Sequence, residues 1–419
     1  MDNPDLSLAS RLPHVKGLRC VLCGAEYSLD DVQYVCPECG PAGVLDVVYD
    51  YGRIPPERPA SGARSMWYPQ LMPVTGQAAL PALAIGGTPL YPANRLAEQL
   101  GLRQLWIKDD GRNPTASLKD RASAMVVVHA QAIGVTTVAT ASTGNAAAAL
   151  AGVCAATLGV EATIFVPATA PEAKIAQLLV YGARVLLVEG TYDDAFDLCW
   201  DACEEFSWYN RSTGINPFTT EGKKTVSFEL AEQLGWQVPD VVVVSVGDGS
   251  IIGGVHKGFL DMLSMGWVER VPRLIGVQAE GSSPLVHAWE HGLAAQDMTP
   301  VDAHTVADSI SSGLPRDRAK ALRAVRETGG AFVRVSDQEI LAAIPELAQG
   351  CGVFAEPAGA ASYAGLKRAL EGGHVQPGDR VAVLVTGNGL KDIRSAMQAV
   401  GRARRVTPDL DSVRAALDS

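Results

Sequence analysis

From about residue 85 onward the chain repeats one rhythm: a short β-branched run, a Gly or polar loop, then a helical pattern. No other feature constrains the fold as strongly. The strand candidates are 104–108, 135–140, 161–166, 184–188, 240–246, 273–279, 331–335 and 380–385, with helical patterns at 119–133, 145–158, 171–181, 191–206 and 221–235. Strands separated by helices in this way make parallel sheet covered on both faces, so the expected fold class is α/β with open, mostly parallel sheets. In such folds the ligand sits beyond the carboxyl ends of the strands, and the loops that follow strands are where chemistry is expected.

At 419 residues the chain is long enough for two or three packed units of roughly 150 residues. Its 46 acidic against 35 basic residues give a formal charge of −11, which argues against nucleic-acid binding or a polybasic membrane contact, since neither has its electrostatic attraction here. Residues 122–160 carry no Asp, Glu, Lys or Arg, yet Gly134, His129 and the polar run Thr140-Ala141-Ser142-Thr143-Gly144-Asn145 break the stretch into buried helix, strand, loop and helix, not a membrane span. The acidic start, Met1-Asp2-Asn3-Pro4-Asp5, leads into no apolar core, so no secretory signal is read and a cytoplasmic protein is expected.

Four of the eight cysteines form two C-x-x-C-G knuckles, Cys20–Cys23 and Cys36–Cys39, separated by twelve residues. Two such turns bring four thiolates to one point, and four sulfurs suit structural Zn²⁺ better than a redox pair or an iron site. The stretch between them, with Tyr27, Val32 and Tyr34, reads as a short hairpin, making 1–50 a zinc ribbon whose metal folds a segment too small for its own core. Residues 51–84, with six prolines, have linker composition.

Four loops after strands stand out. Gly247-Asp248-Gly249-Ser250-Ile251 opens a helix with bare backbone N–H groups, which suits a phosphate; it is neither the dinucleotide fingerprint nor a Walker A loop, and alone it reads equally as a tight turn. Lys119 starts a helix at the border of the uncharged stretch, where a lysine has a depressed pKa and can offer a neutral amine to an aldehyde; alone it also reads as a surface lysine paired with Asp120 or Asp109. Ser142-Thr143-Gly144-Asn145 can hold a carboxylate or phenolate at a helix start, or simply cap it. Thr386-Gly387-Asn388-Gly389-Leu390-Lys391-Asp392 follows the last strong strand.

In this order the four loops resemble those of the threonine synthase family, pyridoxal-phosphate enzymes of the tryptophan-synthase-β (fold type II) superfamily; Thr386 to Asp392 is close to that family's Thr-Gly-His-Gly-Leu-Lys-Asp. The resemblance covers about 85–400 and implies two α/β domains, a large one of 85–119 plus 221–400 and a small one of 120–220, with a tail at 401–419. It also implies pyridoxal 5'-phosphate as cofactor, bound to Lys119, with Asn145 on its phenolic oxygen, Gly247, Asp248, Gly249, Ser250 and Ile251 around its phosphate, and Thr386 at the ring nitrogen. Ser142, Thr143, Gly144 and Asn145 would hold the substrate's α-carboxylate, with Asn216 and Thr219 also facing substrate. A threonine hydroxyl cannot protonate the ring as a carboxylic acid would, which favours elimination and replacement over transamination. The implied reaction converts O-phosphohomoserine to threonine and phosphate in a homodimer.

The sequence departs from the family where substrate is chosen. Thr213-Gly214 and Thr219 stand where the family has Asn-Ser and Arg, so a guanidinium fork is missing. Lys223, Lys224 or Arg211 are candidates to replace it, and read otherwise as exposed helix-start charges. Ala116 and Leu118 stand for Gly and Phe, and Asn388 for His. Glu356, in Glu356-Pro357-Ala358-Gly359, reads mainly as packing. The alternatives are a related β-replacement or β-elimination, such as cysteate synthesis from phosphoserine or deamination of threonine or diaminopropionate. A non-catalytic binding protein on the same fold is the third reading.

Overall fold

The computed structural model describes residues 7–59, 68–75, 78 and 80–418. Its largest sheet has six strands in the order Ala331–Val335, Arg273–Ala279, Val241–Ser245, Arg380–Val385, Gln104–Asp109 and Leu90–Pro92. All neighbours are parallel except the last pair, where Leu90–Pro92 runs antiparallel along the edge. A four-stranded parallel sheet, ordered Arg184–Val188, Glu161–Pro167, Thr137–Ala141 and Tyr209–Asn210, is built wholly from residues 137–210.

The eight strand candidates are all strands, with ends within two residues of those expected. Val241–Ser245 shows why. Val241 and Val243 pack into the core on one face of the sheet, while Val242 and Val244 pack into the core on the other. A strand buried on both faces loses the usual polar alternation and reads as a continuous β-branched run. The two short edge pairings, Leu90–Pro92 and Tyr209–Asn210, carry no such run and are visible only in the fold. The uncharged stretch is buried helix, strand and helix, and among the described residues no helix is long and apolar enough to cross a membrane.

The helix Phe218–Gln233 is buried from Phe218 through Ala231. It packs against Lys119–Ala132 on one side and Ser250–Ser264 on the other, and glycines allow the backbones to touch. A Cβ at Gly222 would lie 2.1 Å from the Arg121 carbonyl oxygen, and one at Gly258 would lie 2.4 Å from that of Lys224. This central helix therefore brings its charged side chains into the interior, where each needs a partner.

The N-terminal module differs from the hairpin expected. Glu26–Tyr27, only two residues long, pairs back on Val15–Cys20, which also pairs with Leu45–Tyr49, giving a three-stranded antiparallel sheet. Between the knuckles the chain turns without a second strand, and Val35 instead bridges to Val44. Tyr34, in the second half of this stretch, packs on Tyr209 and accepts from Asn210 N instead of entering a strand. The module is docked: Tyr49 donates its hydroxyl to Glu221, Lys320 Nζ reaches the Leu45 carbonyl at 2.8 Å, and the Tyr34 hydroxyl accepts from Asn210 N at 2.8 Å. Part of the proline-rich segment is likewise strapped down, with Tyr68, Leu71, Met72 and Val74 buried and the Pro56 carbonyl accepting from Trp267 Nε1.

Candidate active site

The loops that follow strands in both large sheets line one cavity of about 1030 Å³. Lys119 enters it from the start of its helix, reached through a turn at Asn113–Ala116 in which Ala116 has a left-handed backbone, φ +67°. A non-Gly residue there costs roughly 1–2 kcal/mol, which accounts for glycine being usual at this position in the family that the sequence resembles. Ala116→Gly is therefore expected to raise stability by up to about 1 kcal/mol, once the larger entropy of an unfolded glycine is subtracted. A lower denaturation midpoint would contradict the strain.

The surface pairing of Lys119 does not form. Asp120 accepts from the Thr115 amide at 2.8 Å and from its hydroxyl, Asp109 accepts from Gly111 N at 3.1 Å, and Lys119 has no hydrogen bond or ion pair among the described residues. Its side chain lines the cavity. Burial presses the ammonium below the ordinary lysine range, Glu356 pulls it back up, and Arg211 presses it further down.

The second loop, Gly247 to Gly249, leads into Ser250–Ser264. Gly249 has φ +95°, and a Cβ there would meet the Asp317 carbonyl at 2.8 Å; one at Gly247 would meet Ile310 Cα at 2.8 Å. No side chain caps the first turn of the helix, so its N–H groups are left for a ligand. Asp248 turns its carboxylate aside: Oδ1 accepts from Ser312 Oγ at 3.3 Å and Arg316 N at 3.2 Å. Ser250 Oγ accepts from Lys223 Nζ at 2.5 Å.

Ser142-Thr143-Gly144-Asn145 forms the opposite wall, and the helix Asn145–Ala155 is also uncapped by any side chain. Asn145 Nδ2 donates to Glu356 Oε1 at 2.8 Å, which fixes the amide, and burial raises the Glu356 carboxyl above its ordinary range. Thr386 lines the cavity, and its carbonyl accepts from Leu118 N, tying it to the residue before Lys119.

Thus Lys119, Ser142 to Asn145, Gly247 to Ile251 and Thr386 converge on one space. Asn216 and Thr219 do not line it: the Asn216 amide holds the Asn210 carbonyl and Phe218 N, and Thr219 Oγ1 donates to the Asn216 carbonyl. Asn388 caps its own turn through Leu390 N. Arg211 and Lys223 do line it and are fully buried, not exposed. The loop 308–314 also contributes, and only its run of serines and glycine marked it in the sequence.

A family model for pyridoxal-phosphate dependent enzymes matches residues 81–387. The threonine synthase of Methanosarcina acetivorans is 40% identical over 405 residues, covering 96% of this chain and 98% of that protein. That of Methanocaldococcus jannaschii is 38% identical, covering 94% and 97%. The chain belongs to the threonine synthase family of pyridoxal-phosphate dependent enzymes. The fold of this threonine synthase family member is also that of threonine deaminase isoform 2 from Solanum lycopersicum (TM-score 0.62, 22% identity, 75% of this chain and 83% of that one). Diaminopropionate ammonia lyase from Escherichia coli shares it as well (TM-score 0.63, 19% identity, 75% and 88%).

A second site lies in the N-terminal module. The sulfurs of Cys20, Cys23, Cys36 and Cys39 are all within 4.8 Å of one another, and Cys23 and Cys36 are 3.7 Å apart. Four sulfurs at about 2.3 Å from one tetrahedral ion would be roughly 3.8 Å apart, so the donor set fits zinc in both chemistry and spacing. The knuckle itself touches the larger cavity, which Cys39, Pro41 and Ala42 help to line.

Proposed function

We propose that this chain is a threonine synthase: a pyridoxal-phosphate lyase that takes O-phosphohomoserine and water to threonine and phosphate. The observation that carries the reading is that relatives of that name match it across nearly its whole length, and their match includes a cavity with an unpaired lysine amine. Bound pyridoxal phosphate would supply an electrophilic aldehyde and a ring that takes up electron density.

The chain's own residues supply the rest. The uncapped N–H groups at Gly249, Ser250 and Ile251, with Gly247 and Asp248 shaping the turn, suit the cofactor's phosphate. Asn145, held by Glu356, suits the phenolic oxygen, and the Thr386 hydroxyl suits the ring nitrogen. The start of the helix Asn145–Ala155, with Ser142 and Thr143, suits the substrate's carboxylate. Lys119, kept below its ordinary pKa by burial, can take a proton from the substrate's carbon chain and return it at another carbon. Asn216 and Thr219 hold the turn between Arg211 and the helix Phe218–Gln233, which carries Lys223.

Incubation of purified protein with O-phosphohomoserine should yield threonine and phosphate in equal amounts. Absence of both, with phosphate from phosphoserine or ammonia from threonine, would transfer the assignment to a β-elimination. The resemblance also supports a cytoplasmic homodimer; light scattering that returns the 44.0 kDa of one chain would refute the dimer.

The four thiolates are the expected ligands of a structural zinc. One equivalent of zinc per chain should be found by elemental analysis, and chelation should loosen the sheet of Val15–Cys20 and Leu45–Tyr49. Retention of the near-ultraviolet signal of Tyr34 and Tyr49 after complete zinc removal would count against a folding role.

A further inference from the structure

Lys320 sits in the charge-rich helix Arg318–Glu327, yet it is buried in the interior. A charge held out of water needs partners, and Lys320 finds them on other elements. Its Nζ donates to the Leu45 carbonyl at 2.8 Å and to Thr220 Oγ1 at 3.0 Å, and Asp46 Oδ1 stands 3.1 Å away as counter-ion. Its stem lies on the first turn of Ser250–Ser264, where a Cβ at Gly253 would be 2.8 Å from Lys320 Cβ. One ammonium thus joins the N-terminal module to the helices that start at Phe218 and Ser250.

The start of the same helix presses on the loop Gly247–Gly249. Asp317 N donates to the Asp248 carbonyl at 2.8 Å, and a Cβ at Gly249 would lie 2.8 Å from the Asp317 carbonyl oxygen and 2.9 Å from Ala321 Cβ. Asp317 and Ala321 flank Lys320, and in a close-packed interior a shift of Lys320 moves both against Gly249. The uncapped N–H groups at 249–251 can hold an anion only while that loop keeps its place. The other oxygen of Asp46 meets Arg323, one helical turn further from the loop, where the arginine side chain is 31% exposed. Asp46 is therefore shared between an inner contact that reaches the loop and an outer one at the rim. Docking alone does not need the inner contact, since Tyr49 already donates to Glu221.

We propose that Asp46, in the N-terminal module, is a positioning residue for the loop Gly247–Ile251: it anchors Lys320, and Lys320 sets how closely Asp317 and Ala321 press on Gly249. This deepens the proposed function and rests on it for the identity of the anion, the cofactor's phosphate. The module then takes part in cofactor retention, although Asp46 itself need not touch the cofactor. Loss of the Asp46 charge would leave the Lys320 ammonium buried with only neutral acceptors and Asp317, 3.8 Å away, so the lysine and the turn that carries it would move.

The test uses the full chain and three variants, Asp46→Asn, Lys320→Met and Arg323→Met, with two readouts: the Kd for pyridoxal phosphate and amide hydrogen exchange at 247–251 in protein without added cofactor. Asp46→Asn and Lys320→Met should each weaken cofactor binding roughly tenfold, the factor that one charge-assisted hydrogen bond commands, and speed exchange in the loop by a similar factor. The double variant should be no worse than either single one, because both break one contact. Arg323→Met removes the outer partner of Asp46 and should lower the unfolding midpoint while leaving both readouts unchanged. Unaltered exchange and affinity in Asp46→Asn and Lys320→Met would overturn the proposal. Equal changes in Arg323→Met would overturn it too, since Asp46 would then serve only to dock the module. Should the wild type take up no pyridoxal phosphate, the proposed function fails by itself, and hydrogen exchange at 247–251 still decides whether Asp46 positions the loop.

Discussion

Lys119→Ala should lower turnover by about a thousandfold or more and abolish the visible absorbance of enzyme-bound pyridoxal phosphate, while the protein remains folded. The last clause separates a chemical from a structural role. Lys119 makes no hydrogen bond or ion pair among the described residues, and burial is the main cause that drives its ammonium down, so its removal leaves no partner stranded. Stability should hold or rise slightly, since an unpaired buried amine is removed. Activity within tenfold of wild type, with the cofactor still bound, would remove the amine from the mechanism and with it the central assignment.

Removal of Arg121, two residues further along the same helix, should have the opposite signature. Its guanidinium meets Asp110 at 2.6 and 2.9 Å and Glu229 at 2.8 Å, with Thr225 Oγ1 at 3.1 Å, and every charged partner has no exposed side-chain surface. Arg121→Met would leave Asp110 and Glu229 facing each other with only Lys108 to offset them, and a broken buried ion pair costs about 3–5 kcal/mol. The midpoint of denaturant unfolding reports this, and Arg414→Ala serves as the contrast, because the Arg414–Asp411 pair lies in water and should not measurably matter. The pH dependence has a definite sign. Burial alone would raise the Glu229 carboxyl, but Arg121 and Lys108 outweigh it and hold it at about 2. Its contribution is therefore complete above the ordinary glutamate pKa of about 4.3 and is lost as pH falls towards 2. Arg121→Met should unfold at higher pH on acidification than the wild type. An equal acid midpoint would mean that the network is energetically idle.

The two predictions concern neighbouring residues that the sequence made unequally visible. Lys119 stands out at the border of a stretch without charges, though only the family resemblance separates it from a surface lysine; the strands are legible because valine runs such as Val241 to Val244 have few other uses. The burial of Arg211 and Lys223 could not be found. Arg211 lies beside Ser212-Thr213-Gly214 and Lys223 in Glu221-Gly222-Lys223-Lys224, stretches with the composition of surface loop and helix start. They are interior because the helix Phe218–Gln233 is enclosed by two other helices and the N-terminal module, a tertiary circumstance whose local sign is Gly222 against the Arg121 carbonyl. Asn216 and Thr219 failed to reach the cavity for a related reason: short polar side chains next to Pro217 are consumed by the turn they create. The expected hairpin between the knuckles failed because aromatic and β-branched residues were read as strand, whereas Tyr34 serves as an anchor on Tyr209 and Asn210.

Pro41 and Ala42, just past the last thiolate, are part of the wall around the reaction space. A version of the protein beginning at residue 51 would thus have a breach on that side, through which a reactive intermediate could escape or meet solvent at the wrong carbon. Fidelity of product, more than heat resistance, is what such a truncation should forfeit.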